Sequence, residues 1–156
     1  MAGSSGAGGP EHVDGCRPAV KVVVDTNVVA YLLLGTEAFV KEARGCFTRV
    51  SNPIAPAHWE AELTNVLWMA VRSGILPPAE GQVRLGLARR LGIESVSTAT
   101  LCQGALLRSV TSRIAVYDTL FVELAARTAC PLLTFDKALI KAFPNIAIRP
   151  RDLADG

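Results

Sequence analysis

Four acidic side chains stand where this chain could do metal chemistry, and two of them follow apolar strands. Asp25 comes directly after the run "VKVVV", and Asp136 comes directly after "PLLTF". In parallel α/β sheets ligands bind beyond the carboxyl ends of the strands, so both acids are expected on one edge of the sheet. Either acid could instead be only a helix N-cap, a role that aspartate fills well. Two such acids on one edge favour a functional role.

The other two acids lie on predicted helices. Glu62 flanks the apolar stripe of "AHWEAELTNVLWMAVR", a position that suits a cleft, although an ordinary solvated glutamate is the alternative. Asp118 falls in the first turn of "VYDTLFVELAART", where its charge would also suit the helix dipole. Glu123, further along the same helix, is expected on the surface.

Convergence of Asp25, Glu62, Asp118 and Asp136 would be costly without a cation. Two like charges about 4 Å apart repel by roughly 4 kcal/mol at an effective dielectric near 20. A divalent cation removes that cost, and the ions that fit ligands made only of oxygen are Mg²⁺ and Mn²⁺.

The cysteines do not suggest a zinc site or a disulfide framework. None of the four is spaced as C-x-x-C, and the chain has only two histidines, His12 and His58. Reduced thiols are therefore expected at Cys16, Cys46, Cys102 and Cys130.

Apolar segments of strand and helix length alternate along the chain, which predicts an α/β fold with a central, mostly parallel β-sheet flanked by α-helices. Residues 1–18 are rich in Gly and Ser and are expected to form a flexible tail, followed by one domain at 19–151. Strands are predicted at 19–24, 54–55 and 93–96 and within "CPLLTFD" and "NIAIRP". Helices are predicted at about 26–34, 36–50, 57–72, 77–91, 99–111, 116–128 and 138–143.

The composition sets further limits. The chain has 156 residues, of which 50% are hydrophobic, so a single domain with a real core is expected and overall disorder is not. The net charge of +2 does not suggest a polybasic protein. No apolar run reaches the roughly 18 residues that a membrane span needs, and the N-terminus lacks the apolar core of a secretory signal, so a cytoplasmic location is expected.

With these acids in this order, the chain resembles the PIN-domain nucleases, and among them the VapC-type toxins of toxin–antitoxin pairs. Four segments carry the resemblance along about residues 20–150: "VVVDTNVVAYLLLG", "PAHWEAELTNVL", "AVYDTLFVELA" and "CPLLTFDKAL". The third is similar to the family's Y-D-A-x-x-x-x-L-A helix, with Thr119 where alanine is usual. Each motif alone is weak, but the four together in order are specific.

The resemblance implies an activity and a set of residue roles. Asp25, Glu62, Asp118 and Asp136 map onto the family's acidic positions, with Asn27 and Thr134 on polar positions that support them. The implied reaction is hydrolysis of an RNA phosphodiester with Mg²⁺ or Mn²⁺ held by the acids. The implied partners are the RNA substrate, a small antitoxin protein and a second copy of the chain.

Several alternatives stay open on the sequence alone. An RNA-processing nuclease without an antitoxin and an inactive PIN-like binding module share the fold, whereas a haloacid-dehalogenase phosphatase would need an aspartate where Asn27 stands. "EAFVKEARGCF" could form a partner groove or ordinary core. A basic rim for RNA could draw on Arg44, Arg49, Arg72, Arg84, Arg89, Arg90, Arg108 and Arg113.

Overall fold

The computed structural model describes residues 20–154, so the predicted tail at 1–18 lies outside the described residues. Five strands form one sheet in the order β3-β2-β1-β4-β5, and all four pairings are parallel. This confirms the predicted α/β class with a central parallel sheet. The strands are β1 (Lys21–Val24), β2 (Asn52–Pro56), β3 (Glu94–Val96), β4 (Leu132–Leu133) and β5 (Ala147–Ile148).

Seven α-helices surround this sheet within residues 20–154. They are α1 (Thr26–Leu34), α2 (Val40–Phe47), α3 (Trp59–Arg72), α4 (Pro78–Arg89), α5 (Cys102–Ser112), α6 (Val116–Thr128) and α7 (Lys137–Ala142). The predicted bounds of α1 and α6 are confirmed, whereas α2 begins at Val40 and not at Thr36. None of the described helices combines the length and apolar character that crossing a membrane requires.

The valine run makes β1 the centre of the sheet. Val22, Val23 and Val24 are all buried, and since successive side chains of a strand point to opposite faces, both faces of β1 are covered. Helix α6 packs against β1 and β2. The strand that delivers Asp25 is thus fixed by hydrophobic burial on both faces.

The prolines of β2 lie inside the strand and not on either side of it. Pro53 stands opposite Val22 of β1, and Pro56 stands opposite Val96 of β3. A proline lacks the N–H that a sheet ladder uses, which is why these residues were predicted to bound the strand. The ladder to β3 nevertheless continues past Pro56, because the Ala57 N–H donates to the Val96 carbonyl oxygen at 2.7 Å.

Glu123 is buried, so the prediction that it lies on the surface was wrong. Arg108 Nε donates to its Oε2 at 2.7 Å, and Arg127 Nε donates to its Oε1 at 2.6 Å. Although burial alone would raise the pKa of Glu123, the hydrogen bonds from the two arginines lower it below its ordinary value. This ion pair ties α6 to α5, and Gly104 on α5 lies directly against the carboxylate.

Thr119, the departure from the usual alanine, adds a second link between these helices. Its side chain is fully buried, and its Oγ1 donates to the Ala105 carbonyl oxygen at 2.9 Å. The Ser109 hydroxyl lies 2.7 Å from the same oxygen. Both links therefore help to fix α6, the helix on which Asp118 lies.

Two glycine-to-alanine changes are expected to alter stability in opposite directions. At Gly86 in α4 an added Cβ meets nothing within 4 Å, so Gly86→Ala should stabilise the protein by up to about 1 kcal/mol through helix propensity. At Gly104 an added Cβ would overlap the Glu123 carboxylate, which two arginines hold in place. We expect Gly104→Ala to destabilise the protein by about 1–3 kcal/mol in urea denaturation. Equal stabilisation by both changes would contradict the described packing of α5 on α6.

Candidate active site

Asp25 occupies the N-cap position of α1, but its side chain does not cap the helix. Its Oδ2 instead accepts hydrogen bonds from Thr134 Oγ1 at 2.6 Å and from Asn27 Nδ2 at 2.9 Å. The residue is only 6% exposed. The capping alternative therefore does not account for Asp25, whose carboxylate is held by the end of the neighbouring strand.

The environment of Asp25 opposes its charge. Burial raises its pKa from 3.8 to about 7, and the charges of Asp118 and Glu62 act in the same direction. The hydrogen bonds from Thr134 and Asn27 only partly offset the burial.

Asn27 and Thr134 join the ends of β1 and β4 into one polar network. Asn27 Oδ1 accepts from the Phe135 N–H at 3.1 Å, and Asn27 Nδ2 also donates to Thr134 Oγ1 at 3.2 Å. Since Thr134 Oγ1 donates to Asp25, it acts as acceptor for Asn27 and for the Asp136 N–H at 2.9 Å. The two residues thus orient Asp25 relative to the loop that carries Asp136.

Asp136 is the N-cap of α7, as the structural alternative predicted. Its Oδ1 accepts from the N–H groups of Ala138 at 2.7 Å and Leu139 at 3.3 Å. The capping bonds use only this oxygen. Because Asp136 also borders the cleft described below, capping and ion binding through Oδ2 are compatible.

Glu62 and Asp118 approach the same cleft from the first turns of α3 and α6. Thr26 Oγ1 donates to Glu62 Oε2 at 2.6 Å, so the residue after Asp25 holds the glutamate. Burial raises the pKa of Asp118, and the charges of Asp136 and Glu62 raise it further, while His58 lowers it.

One cavity of about 280 Å³ is bordered by all four predicted acids, Asp25, Glu62, Asp118 and Asp136. Asn27 borders it as well, and Thr134 lies behind Asp25. Within residues 20–154, however, no group of three acid, histidine or cysteine side chains is placed to hold one ion together. The structure brings the acids to one cleft, and ligating a single ion through three of them would require side-chain rotation.

The donor chemistry of the cleft fits a hard divalent cation. Its charged side chains are carboxylates, and burial, together with their mutual repulsion, raises the pKa values of Asp25 and Asp118. A cation would favour the charged carboxylates and so offset both effects, and oxygen-only ligands suit Mg²⁺ or Mn²⁺.

Several arginines considered for a basic rim have structural partners. Arg49 donates to the carbonyl oxygens of Pro150 and Leu153, and Arg108 pairs with Glu123. Arg84 pairs with Glu80, while the Arg72 guanidinium lies over the Trp68 ring. Arg49 and Arg108 therefore link separate segments of the domain, whereas the contacts of Arg72 and Arg84 with Trp68 and Glu80 lie within single helices.

The apolar positions of "EAFVKEARGCF" serve the core. Ala43 is fully buried, and the Phe39 ring stacks on Tyr31 with centroids 4.6 Å apart. Phe39 and Phe47 both pack against the main hydrophobic cluster. The structure thus favours the core alternative over a partner groove.

Two residues beside the acids had no predicted role. Thr26 contacts Glu62, and the only sequence signal for this was its position directly after Asp25. His58 lies near Glu62 and Tyr117, and no sequence pattern singled it out once a zinc site was excluded.

Comparisons with known proteins give this chain a family and a named relative. The profile described as "PIN domain" matches residues 22–144. The chain is 33% identical over 128 residues to "Ribonuclease VapC3" of Mycobacterium tuberculosis, an alignment that covers 82% of this chain and 91% of that protein.

Solved structures share the fold at low sequence identity. PAE2754 from Pyrobaculum aerophilum has a TM-score of 0.64 at 19% identity, covering 82% of this chain and 83% of that one. VapBC2 from Rickettsia felis, bound to a promoter DNA fragment, has a TM-score of 0.60 at 16% identity, covering 83% and 98%. A toxin–antitoxin complex from Klebsiella pneumoniae has a TM-score of 0.57 at 15% identity, covering 85% and 99%.

The raised pKa of Asp25 predicts a stability effect that depends on pH. Between pH 3.8 and about 7 the folded protein holds a proton that the unfolded chain has released, so stability falls as pH rises through this interval. Asp25→Asn removes the titrating carboxylate and with it this pH-dependent loss of stability. We therefore expect the variant to have a free energy of unfolding higher than that of the parent by at least about 1 kcal/mol in EDTA at pH 8, and by less at pH 4.

Urea denaturation of both proteins at the two pH values measures this difference. The matched control is Glu37→Gln, which removes an exposed carboxylate away from the cleft. A destabilised Asp25→Asn variant at pH 8 would show that the carboxylate is not under electrostatic strain.

Proposed function

The chain belongs to the PIN-domain family, and on that premise we propose that it is an endoribonuclease of the VapC kind, the toxin of a toxin–antitoxin pair. The observation that carries the proposal is the cleft bordered by four acids, Asp25, Glu62, Asp118 and Asp136. The relative at 33% identity is named a ribonuclease, and the alignment spans most of both chains.

The proposed reaction is metal-dependent hydrolysis of an RNA phosphodiester, with the acids as the metal-binding residues. Asp25, Asp118 and Asp136 would hold Mg²⁺ or Mn²⁺, and Glu62 would ligate the ion or orient a water molecule. When bound, the ion supplies a more acidic water and neutralises charge on the phosphate.

The chain's own hydrogen bonds prepare the acids for this task. Thr134 and Asn27 hold Asp25, so its orientation is set before an ion or substrate arrives. Thr26 fixes Oε2 of Glu62 and leaves Oε1 toward His58. Asp25 and Glu62 therefore lose less conformational entropy on binding an ion than unrestrained side chains would, which supports catalytic use of this cleft.

The partners follow from the same proposal. A VapC-type toxin implies a small antitoxin that binds and inhibits it, and we propose a homodimer and a cytoplasmic site of action on RNA. The rival reading, an RNA-processing nuclease without an antitoxin, predicts no short reading frame beside the gene. A small protein encoded beside this gene can be co-expressed with the chain. Co-purification of the two proteins would favour the toxin hypothesis over the RNA-processing hypothesis.

Removing single acids is expected to abolish RNA cleavage without loss of folding. In Mn²⁺ or Mg²⁺, Asp25→Asn and Asp118→Asn should each lower kcat for cleavage of a cellular RNA mixture by at least about 100-fold, because they remove ion-binding oxygens. Gel analysis and end mapping of the RNA products measure the effect, and EDTA should stop RNA cleavage by the parent protein.

The matched control is again Glu37→Gln, which should cleave like the parent. Circular dichroism verifies the fold of each variant. Cleavage that survives both Asp25→Asn and EDTA would rule out the metal mechanism.

A further inference from the structure

His58 lies between the two helices whose first turns bring acids into the cleft, α3 with Glu62 and α6 with Asp118. Its Nε2 lies 3.1 Å from the Tyr117 carbonyl oxygen and 3.7 Å from Glu62 Oε1. Glu62 belongs to the first turn of α3, and Tyr117 precedes Asp118 in the first turn of α6. The imidazole therefore spans the space between the backbone that presents Asp118 and the side chain of Glu62.

The hydrogen bond to Tyr117 determines which nitrogen of the His58 ring carries the hydrogen. A carbonyl oxygen only accepts hydrogen bonds, so Nε2 must carry the hydrogen. The same nitrogen lies 3.7 Å from Glu62 Oε1, which is within ion-pair distance of that carboxylate. The Phe121 ring packs edge-on against the imidazole, with centroids 5.0 Å apart, and restricts its rotation.

Packing alone does not explain a histidine at this position. Nδ1 of His58 is buried and finds no hydrogen-bond partner among residues 20–154. A buried polar atom without a partner costs stability, and it calls for an explanation. A phenylalanine would fill nearly the same space between Tyr117 and Phe121 without that cost.

We infer that His58 is a positioning residue that sets the placement of Glu62 relative to Asp118 by bridging α3 and α6 through Nε2. The inference rests on the proposed function, since it concerns the same carboxylates, and it adds a residue to which the acid motifs assign no role. His58 acts through Glu62 and through the backbone before Asp118. It does not itself contact the ion.

Two substitutions separate the Nε2 hydrogen bond from the volume of the ring. His58→Phe keeps an aromatic ring and removes the donor, whereas His58→Gln keeps an N–H donor at similar reach. In the full chain we expect His58→Phe to weaken Mn²⁺ binding by about tenfold or more, as loss of an outer-shell partner does in metal sites. His58→Gln should bind Mn²⁺ close to the parent value.

Isothermal titration with Mn²⁺ measures binding without reference to catalysis, and thermal unfolding in EDTA measures folding. We expect the melting temperature of His58→Phe to stay close to that of the parent, because removal of the unpartnered Nδ1 offsets loss of the Nε2 hydrogen bond to Tyr117. A purely structural role would instead lower the melting temperature. Thr64→Ala, an exposed change on the same helix, is the matched control and should alter neither quantity.

A double-mutant cycle tests whether His58 acts through Glu62. In a Glu62→Gln background, His58→Phe should have little further effect on Mn²⁺ binding, since groups that act as a unit are not additive. Additive effects, parent-like Mn²⁺ binding by His58→Phe, or equal weakening by phenylalanine and glutamine would each overturn the inference.

The readouts keep this inference distinct from the proposed function. A parent protein that binds Mn²⁺ with the expected His58 dependence but does not cleave RNA would contradict only the proposed function. A parent protein that binds no Mn²⁺ would overturn the inference and the metal part of the proposed function together.

Discussion

The structure depends on one electrostatic constraint, the burial of the Asp25 carboxylate beside other acids at the end of the central strand. The valines before Asp25 are fully covered, so the strand cannot turn this residue toward solvent without losing core packing. Hydrogen bonds from Thr134 and Asn27 keep the carboxylate in place but do not cancel the cost of its burial. A fold that keeps such a cost commonly does so for function, and a cation is the simplest group that would remove it.

The topology explains why acids from distant segments reach the same edge. β1 lies between β2 and β4, all three are parallel, and each is followed by a loop at its carboxyl end. Glu62 is in the first turn of the helix that follows β2, and Asp136 follows β4. Asp118 is in the first turn of α6, which precedes β4 and therefore begins at the same edge of the sheet. Helix starts and strand ends thus meet in one place, as they do in other parallel α/β proteins.

The sequence predicted features that depend on local pattern, and it missed those that depend on distant partners. The apolar residues of 26–34 and the glycine that follows them were enough to place α1, whose predicted ends are both confirmed, and Gly35 adopts the left-handed conformation that ends the helix. Glu123 looked like a surface residue because an i,i+4 pair with Arg127 suits an exposed helix face, and its second partner, Arg108, is recognisable only once α5 packs on α6. Pro53 and Pro56 looked like strand boundaries because sheet pairing on both sides of β2 cannot be read from propensity.

The acids also differ in how freely their side chains could move onto an ion, and no local sequence pattern predicts this difference. Asp25 and Asp136 both follow apolar strands, yet Asp136 caps its helix and Asp25 does not, because Thr134, 109 residues away, competes for the Asp25 carboxylate. Glu62 is tied by Thr26, whereas the Asp118 carboxylate accepts no hydrogen bond from any residue in the range 20–154. Asp118 has no such bond to lose on turning toward an ion, and its placement rests on α6 itself. The Thr119 and Glu123 links to α5, together with His58, fix that helix and thereby fix where Asp118 enters the cleft.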